Sequence, residues 1–209
     1  DMTYIIFDNA VYGLTKGQAS PTLKLGEKTK SLPTPNTNYN VNPIGLAIAS
    51  GFTFAARGYS YDVRQLKDLI IAAVNHKGLA FVDVLQPCPT YNDINTRDWF
   101  SGEDRIDETT KKPMSRIYKL EDTDYDPVVH FSDETELNQK KTQAIVKSME
   151  WDSKIPTGIF YKNELITPYT RRLTDKIPNY VENPSALQNI AKNSTPITKI
   201  SQILDSYEV

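Results

Sequence analysis

The chain has 209 residues, with 24 Lys and Arg against 26 Asp and Glu and a formal charge of −2. This length suits one domain, or one domain with a tail, and 39% hydrophobic residues can form a core, which excludes wholesale disorder. The balanced charge gives no electrostatic reason to bind nucleic acid or an acidic membrane. No apolar run reaches the roughly 18 residues of a spanning helix, and no secretory signal is visible. The single cysteine excludes an internal disulfide framework and favours the cytoplasm.

The chain opens on a β-rich apolar run, Thr3-Tyr4-Ile5-Ile6-Phe7. It predicts a first strand over residues 3–8, of the kind that is buried on both faces of a sheet. A sheet interior so near the first residue suggests that the polypeptide continues upstream, with an ordinary N-terminal strand as the equal alternative. Residues 10–41 then show little periodicity, and loops of more than about 15 residues are usually functional or disordered.

Helices and strands alternate over the next part of the chain. Asn42 and Pro43 predict a helix start and Gly51 its end, and a strand follows over residues 52–56. The clearest helix covers residues 62–77, where His76 is expected on the surface near the helix C-terminus. A strand over residues 79–85 follows. Strands separated by helices indicate right-handed crossovers and a parallel sheet, so the fold class is α/β.

The character of the sequence changes after residue 90. Residues 91–130 are polar and irregular, residues 133–151 predict an amphipathic helix, and residues 155–161 predict a short strand. The helix is expected to turn Leu137, Ala144, Ile145 and Met149 inward. Residues 162–209 contain many Pro, Asn and Ser residues. They predict a tail that covers the core or a partner, or that is poorly ordered.

Ligands of open parallel sheets bind in the crevice beyond the carboxyl ends of the strands. Two segments fall there, Asn9–Thr22 after the first strand and Gln86–Asn92 after the third. Because both follow strands of the same sheet, we expect them to form one site.

The segment after the first strand has residue types that suit a bound phosphate ligand. A side-chain oxygen from Asn9 and a backbone carbonyl two residues later suit Mg²⁺ that keeps phosphate ligands. Gly13 and Gly17 permit close approach of a ligand to the backbone, and Lys16 supplies an ammonium group for an anion. On pattern alone, a turn without a ligand remains the alternative.

Several longer runs resemble one family. In register over about residues 3–173, the chain resembles the β subunit of archaeal 2-oxoacid:ferredoxin oxidoreductases, which depend on thiamine pyrophosphate. The runs that carry the resemblance are Asp8–Thr22, Asn42-Pro43-Ile44, Ala56-Arg57-Gly58, Asn75-His76-Lys77-Gly78, Asp83–Asn92, Glu150-Trp151 and Ile155–Tyr161.

The resemblance implies a three-layer thiamine-pyrophosphate-binding fold with a mostly parallel sheet and an irregular C-terminal tail. Residues 1–130 would form the C-terminal half of the cofactor-binding domain. Residues 131–209 would form a helix and a tail that wrap a partner subunit.

The resemblance also implies roles for the segment after the first strand. The Asn9 side chain and the Val11 carbonyl would hold the Mg²⁺ that bridges the two phosphates. Gly13, Leu14 and Thr15 would complete the cofactor contacts. Leu14 would lie near the reactive carbon, and Lys16, which matches the broad-specificity archaeal branch, would pair with a carboxylate of the substrate or with coenzyme A.

Cys88 is implied to supply the fourth thiolate of a [4Fe–4S] cluster. The other three cysteines and a Gly-Asp-Gly segment, whose aspartate is another Mg²⁺ ligand in the family, are absent from these 209 residues. The sequence therefore matches the family without its N-terminal part, and this chain alone is expected to be inactive.

The implied reaction is oxidative decarboxylation of a 2-oxoacid by coenzyme A, with reduction of ferredoxin. The implied partner is an α subunit, or an αγ fusion, and neither nucleic acid nor membrane is expected. One alternative is a non-catalytic fragment or structural subunit that retains the fold. Another is a different thiamine-pyrophosphate enzyme, against which the segment Gln86–Asn92 with its Cys88 argues because those enzymes carry no cluster.

Overall fold

In the computed structural model, residues 1–197, 201 and 205–207 are described. The chain separates into two compact units, Asp1–Thr167 and Pro168–Val209. The first unit contains, in chain order, β1 (Met2–Asp8), β2 (Val11–Tyr12), β3 (Gln18–Ala19), α1 (Pro43–Ala49), β4 (Phe54–Tyr59), α2 (Val63–Asn75), β5 (Leu79–Leu85), α3 (Arg97–Ser101), β6 (Ile117–Lys119), a 3₁₀ turn (Leu120–Asp122), α4 (Glu134–Ser148) and β7 (Ile155–Lys162).

The central sheet has five strands in the order β1-β5-β4-β7-β6. β1, β5 and β4 are parallel neighbours, β7 is antiparallel to β4, and β6 is parallel to β7. The predicted α/β class and mostly parallel sheet are confirmed. α2 connects β4 to β5, as a crossover between parallel strands requires.

Helices cover both faces of the sheet. Because side chains alternate along a strand, Ala55 of β4 faces one layer while Phe54 and Ala56 face the other. The first layer is formed by α1 and α4, and the second by α2. The buried core of the first face comprises Ile44, Ala47, Ile48, Ala55, Phe81, Leu120, Val129, Ala144, Phe160 and Tyr161. The buried core of the second comprises Phe54, Ala56, Leu69, Ala73, Ala80, Val82 and Val84.

The expected burial of the first strand is wrong. Among the described strands, β1 lies at the edge of the sheet with β5 as its neighbour, and Phe7 is 67% exposed. Met2 and Tyr4 are also more than half exposed. The apolar run predicted the strand correctly, but its burial depends on neighbouring strands and helices that the local pattern does not specify.

Two expected side-chain positions are also wrong. His76 is 3% exposed rather than on the surface, with its Nε2 2.7 Å from the Thr53 Oγ1 and its ring packed against Phe54. Burial lowers the pKa of His76. Met149 is 65% exposed because α4 ends at Ser148, which takes the buried position instead.

The second unit contains α5 (Tyr169–Lys176), a 3₁₀ turn (Ser185–Leu187) and the short hairpin of β8 (Ala191–Lys192) and β9 (Thr195–Pro196). None of the residues of α5 is buried. Among the described residues of the whole chain, no helix has both the length and the apolar character needed to cross a bilayer.

Candidate functional site

The carboxyl ends of β1 and β5 meet at one edge of the sheet, as the sequence predicts. Asp8 and Leu85, the last residues of the two strands, are register partners. The Gln86 amide then donates a hydrogen bond of 2.8 Å to the Asp8 carbonyl. The two chain segments that follow the strands therefore start side by side.

Asn9 is held on both its side chain and its backbone. Its Oδ1 accepts a hydrogen bond of 3.1 Å from the Val11 amide, and its carbonyl accepts one of 3.1 Å from the Asn92 Nδ2. Asn92 is 1% exposed, and its Oδ1 accepts from the Ile94 and Asn95 amides. The two predicted segments are therefore joined at Asn9, the residue on which the predicted metal site depends.

Asp8 shapes the turn that presents Asn9. Its Oδ1 accepts from the Ala10 amide at 3.1 Å and from the Thr22 hydroxyl. Ala10 has a φ of +61°, a left-handed conformation that costs a non-glycine residue about 1 kcal/mol or more. The hydrogen bonds of Asp8 hold this turn and tie it to the far end of the segment.

Residues 11–19, which we call the Lys16 hairpin, form a short projection. β2 and β3 pair antiparallel, and the turn is closed by the Gly17 amide donating to the Tyr12 carbonyl at 2.8 Å. Leu14 is 98% exposed at the tip, and Thr15 and Lys16 are exposed beside it. These predicted site residues line neither of the two cavities in the crevice, whereas Asn9 lines one of them.

The larger of these two cavities has a volume of about 380 Å³, within the range of small-molecule sites. It adjoins a smaller one of about 20 Å³ that contains Asn9 and Asn92 in its wall. Asp8, Thr22, Lys24 and Trp151 line both. At the rim, the Lys24 Nζ pairs with the Asp152 Oδ1 at 2.7 Å.

A buried ion pair that sequence reasoning missed lies beside the larger cavity. The Arg57 Nε donates to the Asp83 Oδ2 at 2.8 Å, and the two residues are 3% and 0% exposed. Burial raises the pKa of Asp83 to about 6, against the opposing effect of Arg57. The Arg57 guanidinium lies 5.8 Å from the centre of the Trp151 ring, and Arg57 itself lines the cavity. The sequence feature that could have indicated this ion pair is a single charged residue in each of two otherwise apolar strands.

The oxygen and sulfur atoms near the crevice that could ligate a metal would make up part of a metal site. An amide oxygen accepts two hydrogen bonds or ligand bonds, and the Asn9 Oδ1 uses one of them for Val11. Cys88 is half-buried, and its loop is attached to Asn9 through Asn92. Among the described residues, no three His, Cys, Asp or Glu side chains cluster closely enough to hold a metal by themselves.

Two family models match successive parts of the chain. Residues 1–84 match the C-terminal TPP binding domain of thiamine pyrophosphate enzymes, and residues 88–176 match the C-terminal region of the pyruvate ferredoxin oxidoreductase β subunit. The two models together cover most of the chain, and the crevice at the carboxyl ends of the strands includes residues of the part that matches the TPP binding domain.

Named relatives extend this comparison. The chain is 51% identical to the 2-oxoacid:ferredoxin oxidoreductase subunit beta of Saccharolobus solfataricus and 54% identical to that of a Sulfolobus species, over 100% of this chain and 64% of each relative. It is 42% identical to the 2-oxoglutarate oxidoreductase subunit KorB of Mycobacterium tuberculosis over 44% of this chain and 25% of the relative. The chain is thus similar over its whole length to 2-oxoacid:ferredoxin oxidoreductase β subunits, and it spans less than two thirds of the length of these relatives.

A solved structure has the same fold. The 2-oxoglutarate:ferredoxin oxidoreductase from Magnetococcus marinus, with 2-oxoglutarate, coenzyme A and succinyl-CoA bound, superposes with a TM-score of 0.66. The match is 23% identical in sequence and covers 100% of this chain and 58% of the other. At this identity the comparison supports the fold.

Proposed function

We propose that this chain is the part of a 2-oxoacid:ferredoxin oxidoreductase that holds the magnesium-bound diphosphate of thiamine pyrophosphate. The reaction converts a 2-oxoacid, coenzyme A and two oxidised ferredoxins into acyl-CoA, CO₂, a proton and two reduced ferredoxins. The observation that carries the proposal is Asn9, which lies at the carboxyl end of β1 and is hydrogen-bonded to the loop of Cys88 through Asn92.

Asn9 and Val11 are the proposed magnesium ligands of this chain. Within the described part of the chain, the Asn9 side-chain oxygen uses one of its two acceptor positions, and a hard cation such as Mg²⁺ takes oxygen ligands together with phosphates. Gly13, Leu14 and Thr15 would contact the cofactor from the Lys16 hairpin. When bound, thiamine pyrophosphate supplies the carbanion chemistry and accepts the electrons released as CO₂ leaves.

Leu14 and Lys16 are the proposed substrate-side residues. Their exposure at the tip of the Lys16 hairpin suits a wall that is completed by another polypeptide, because an exposed leucine gains stability when it is covered. A lysine ammonium at this wall would attract the carboxylate of the 2-oxoacid or a phosphate of coenzyme A.

Cys88 is proposed as one ligand of a [4Fe–4S] cluster in the complete enzyme. Such clusters take four thiolates, and this chain has one cysteine, so three ligands would come from residues outside it. A single-electron carrier of this kind suits ferredoxin as the acceptor.

The proposed partners are an α subunit, or an αγ fusion, and ferredoxin, and the proposed compartment is the cytoplasm. We propose residues 1–130 as part of the cofactor-binding domain and residues 131–209 as the partner-wrapping region. Exposed apolar side chains in the second unit, among them Val181, Leu187 and Ile190, support a covered surface in the assembled enzyme.

Binding of thiamine pyrophosphate tests the proposed site directly. In the complete protein with Mg²⁺ present, Asn9→Ala should weaken thiamine pyrophosphate binding by about 10- to 100-fold, measured by titration calorimetry. Asn9→Asp should bind nearly as well, because it keeps an oxygen for the metal and an acceptor for the Val11 amide.

The matched control is Asp107→Ala. It removes a side-chain oxygen that accepts from the Thr109 and Thr110 amides in an exposed turn, but no proposed ligand. Binding by Asn9→Ala that equals binding by Asp107→Ala would contradict the metal role of Asn9. A complete protein that contains no iron and binds no thiamine pyrophosphate would overturn the proposed function itself.

Lys16 is tested by substrate preference. Lys16→Ala should raise the KM of the complete enzyme for a 2-oxoacid or for coenzyme A by about tenfold, since an ion pair in a water-poor site contributes on the order of 1–3 kcal/mol. Steady-state rates with 2-oxoglutarate, pyruvate and coenzyme A measure the change, and Lys28→Ala, another exposed lysine, is the control. Unchanged constants for all three compounds would contradict the role.

A further inference from the structure

A hydrogen-bonding side chain lies between the two loops that carry the proposed site residues. We call residues 86–95 the Cys88 loop. The Ser31 hydroxyl is 2.8 Å from the Gly17 carbonyl of the Lys16 hairpin and 3.2 Å from the Tyr91 carbonyl of the Cys88 loop. Ser31 therefore shares its proton between carbonyls of both loops.

The neighbours of Ser31 fix it to the Cys88 loop. The Lys30 amide donates to the Asp93 Oδ1 at 2.7 Å, and the Lys30 Nζ donates to the Pro89 carbonyl at 3.0 Å. Thr29 is 0% exposed, and its hydroxyl oxygen is 3.1 Å from that of Ser31. Lys30 thus anchors the segment to the Cys88 loop and the buried Thr29 contacts Ser31 within the segment, which leaves Ser31 in a defined position against the hairpin.

The hairpin needs such a restraint because its backbone is strained next to the contact. Lys16 has a φ of +69° and Gly17 a φ of +104°. A non-glycine residue in the left-handed region persists where the surrounding contacts over-determine it. The bond from Ser31 to the Gly17 carbonyl is such a contact, one residue from the strained Lys16.

We propose that Ser31 is a positioning residue that joins the Lys16 hairpin to the Cys88 loop, so that the two loops hold one relative position. It touches no proposed ligand or substrate group and acts through Gly17 on the direction of Lys16. The inference rests on the proposed function for the roles of Lys16 and Cys88, whereas the coupling between the two loops is a property of the polypeptide alone.

Amide hydrogen exchange of the complete protein tests the coupling. The Gly17 amide donates to the Tyr12 carbonyl and the Asn92 amide to the Cys88 carbonyl, so each reports the opening of its own loop. Ser31→Ala should accelerate exchange in residues 12–17 and in residues 88–95 together, by about three- to tenfold, as expected for one ordinary hydrogen bond. Unequal responses, with one loop changed and the other not, would overturn the coupling.

Ser115→Ala is the matched control. The Ser115 hydroxyl also reaches two carbonyls, of Phe100 at 3.4 Å and of Ile117 at 3.1 Å, and neither lies in the Lys16 hairpin or the Cys88 loop. It should leave exchange in both loops unchanged. If Ser31→Ala gave the same exchange pattern as Ser115→Ala, the inference would be wrong.

A double-variant cycle connects the coupling to catalysis. In the active complex, Ser31→Ala should raise the KM for the 2-oxoacid by about three- to tenfold with kcat changed less, and should have no further effect on KM when Lys16→Ala is already present. Equal effects of Ser31→Ala in both backgrounds would show that it does not act through Lys16. A complex without 2-oxoacid oxidation would refute the proposed function, and the exchange result would still decide the coupling.

Discussion

Arg57→Met should lower the free energy of unfolding of the complete protein by about 3–5 kcal/mol at pH 8. Methionine keeps much of the apolar volume but leaves the fully buried Asp83 carboxylate without its ion-pair partner. Removing one member of a buried pair is strongly destabilising, because the remaining charge has neither water nor a counter-ion. Denaturant unfolding followed by tryptophan fluorescence measures the change, and Trp151 lies close enough to Arg57 to report it.

The loss of unfolding free energy caused by Arg57→Met should grow with pH. The pKa of Asp83 is about 6 in the folded protein, above its ordinary value of about 3.9, so folding binds this proton more tightly. The contribution of the Asp83 carboxyl group to the free energy of unfolding is therefore greatest below pH 4 and falls as the pH rises through 6. Without Arg57 the folded pKa is higher still, and the fall continues to higher pH at about 1.4 kcal/mol per pH unit. The loss caused by Arg57→Met should thus be about 2–3 kcal/mol smaller at pH 5 than at pH 8.

Two further variants isolate the buried charge. Arg57→Met combined with Asp83→Asn removes both charges and should lose the pH dependence. Arg171→Met breaks an exposed ion pair, Arg171–Asp175, and should cost less than about 0.5 kcal/mol at any pH. A loss by Arg57→Met below about 1 kcal/mol, equal at pH 5 and pH 8, would refute an ionised Asp83 held by Arg57.

The order of elements could be predicted because each long element carries its own periodic signal. The apolar run Leu79–Leu85 and the helical spacing from Val63 onwards gave β5 and α2 nearly to their ends. The burial of β1 could not be predicted in the same way, since an apolar strand looks alike at an edge and in the centre of a sheet. The predicted surface position of His76 was wrong for a related reason, because its pocket is formed by Thr53 and Phe54, which lie earlier in the chain at the start of β4.

The meeting of the two segments at the candidate site could be predicted, because it follows directly from the strand ends. Asn9 and the segment after β5 were expected to meet, and they do, through Asn92. The hydrogen bonds of Ser31 could not be predicted, since they join residues 14 and 60 positions apart and leave no periodic pattern in the sequence. Arg57 and Asp83 become partners only once the register of β4 against β5 is fixed.

Under the proposed function, Gly17→Ala should reduce kcat/KM for 2-oxoacid oxidation about 100-fold in the complete enzyme, the loss that a misplacement of about 1 Å can produce in a site. Gly17 has a φ of +104°, and a Cβ there would lie 2.4 Å from the Ser31 Oγ and 3.0 Å from the Tyr91 ring. Ser31 is anchored through Lys30 and Thr29, so the hairpin that carries Lys16 would have to move instead.

Gly26→Ala separates backbone strain from this collision. Gly26 has a φ of +83°, yet a Cβ there would meet no atom of the described residues within 4 Å, so only the conformational cost of about 1–2 kcal/mol applies. We expect Gly26→Ala to destabilise the protein without changing kcat/KM. Combining Gly17→Ala with Ser31→Gly should restore part of the activity, since it removes the nearest colliding atoms. If Gly17→Ala stayed within about threefold of Gly26→Ala in kcat/KM, the packing of the hairpin against Ser31 would have no bearing on the reaction.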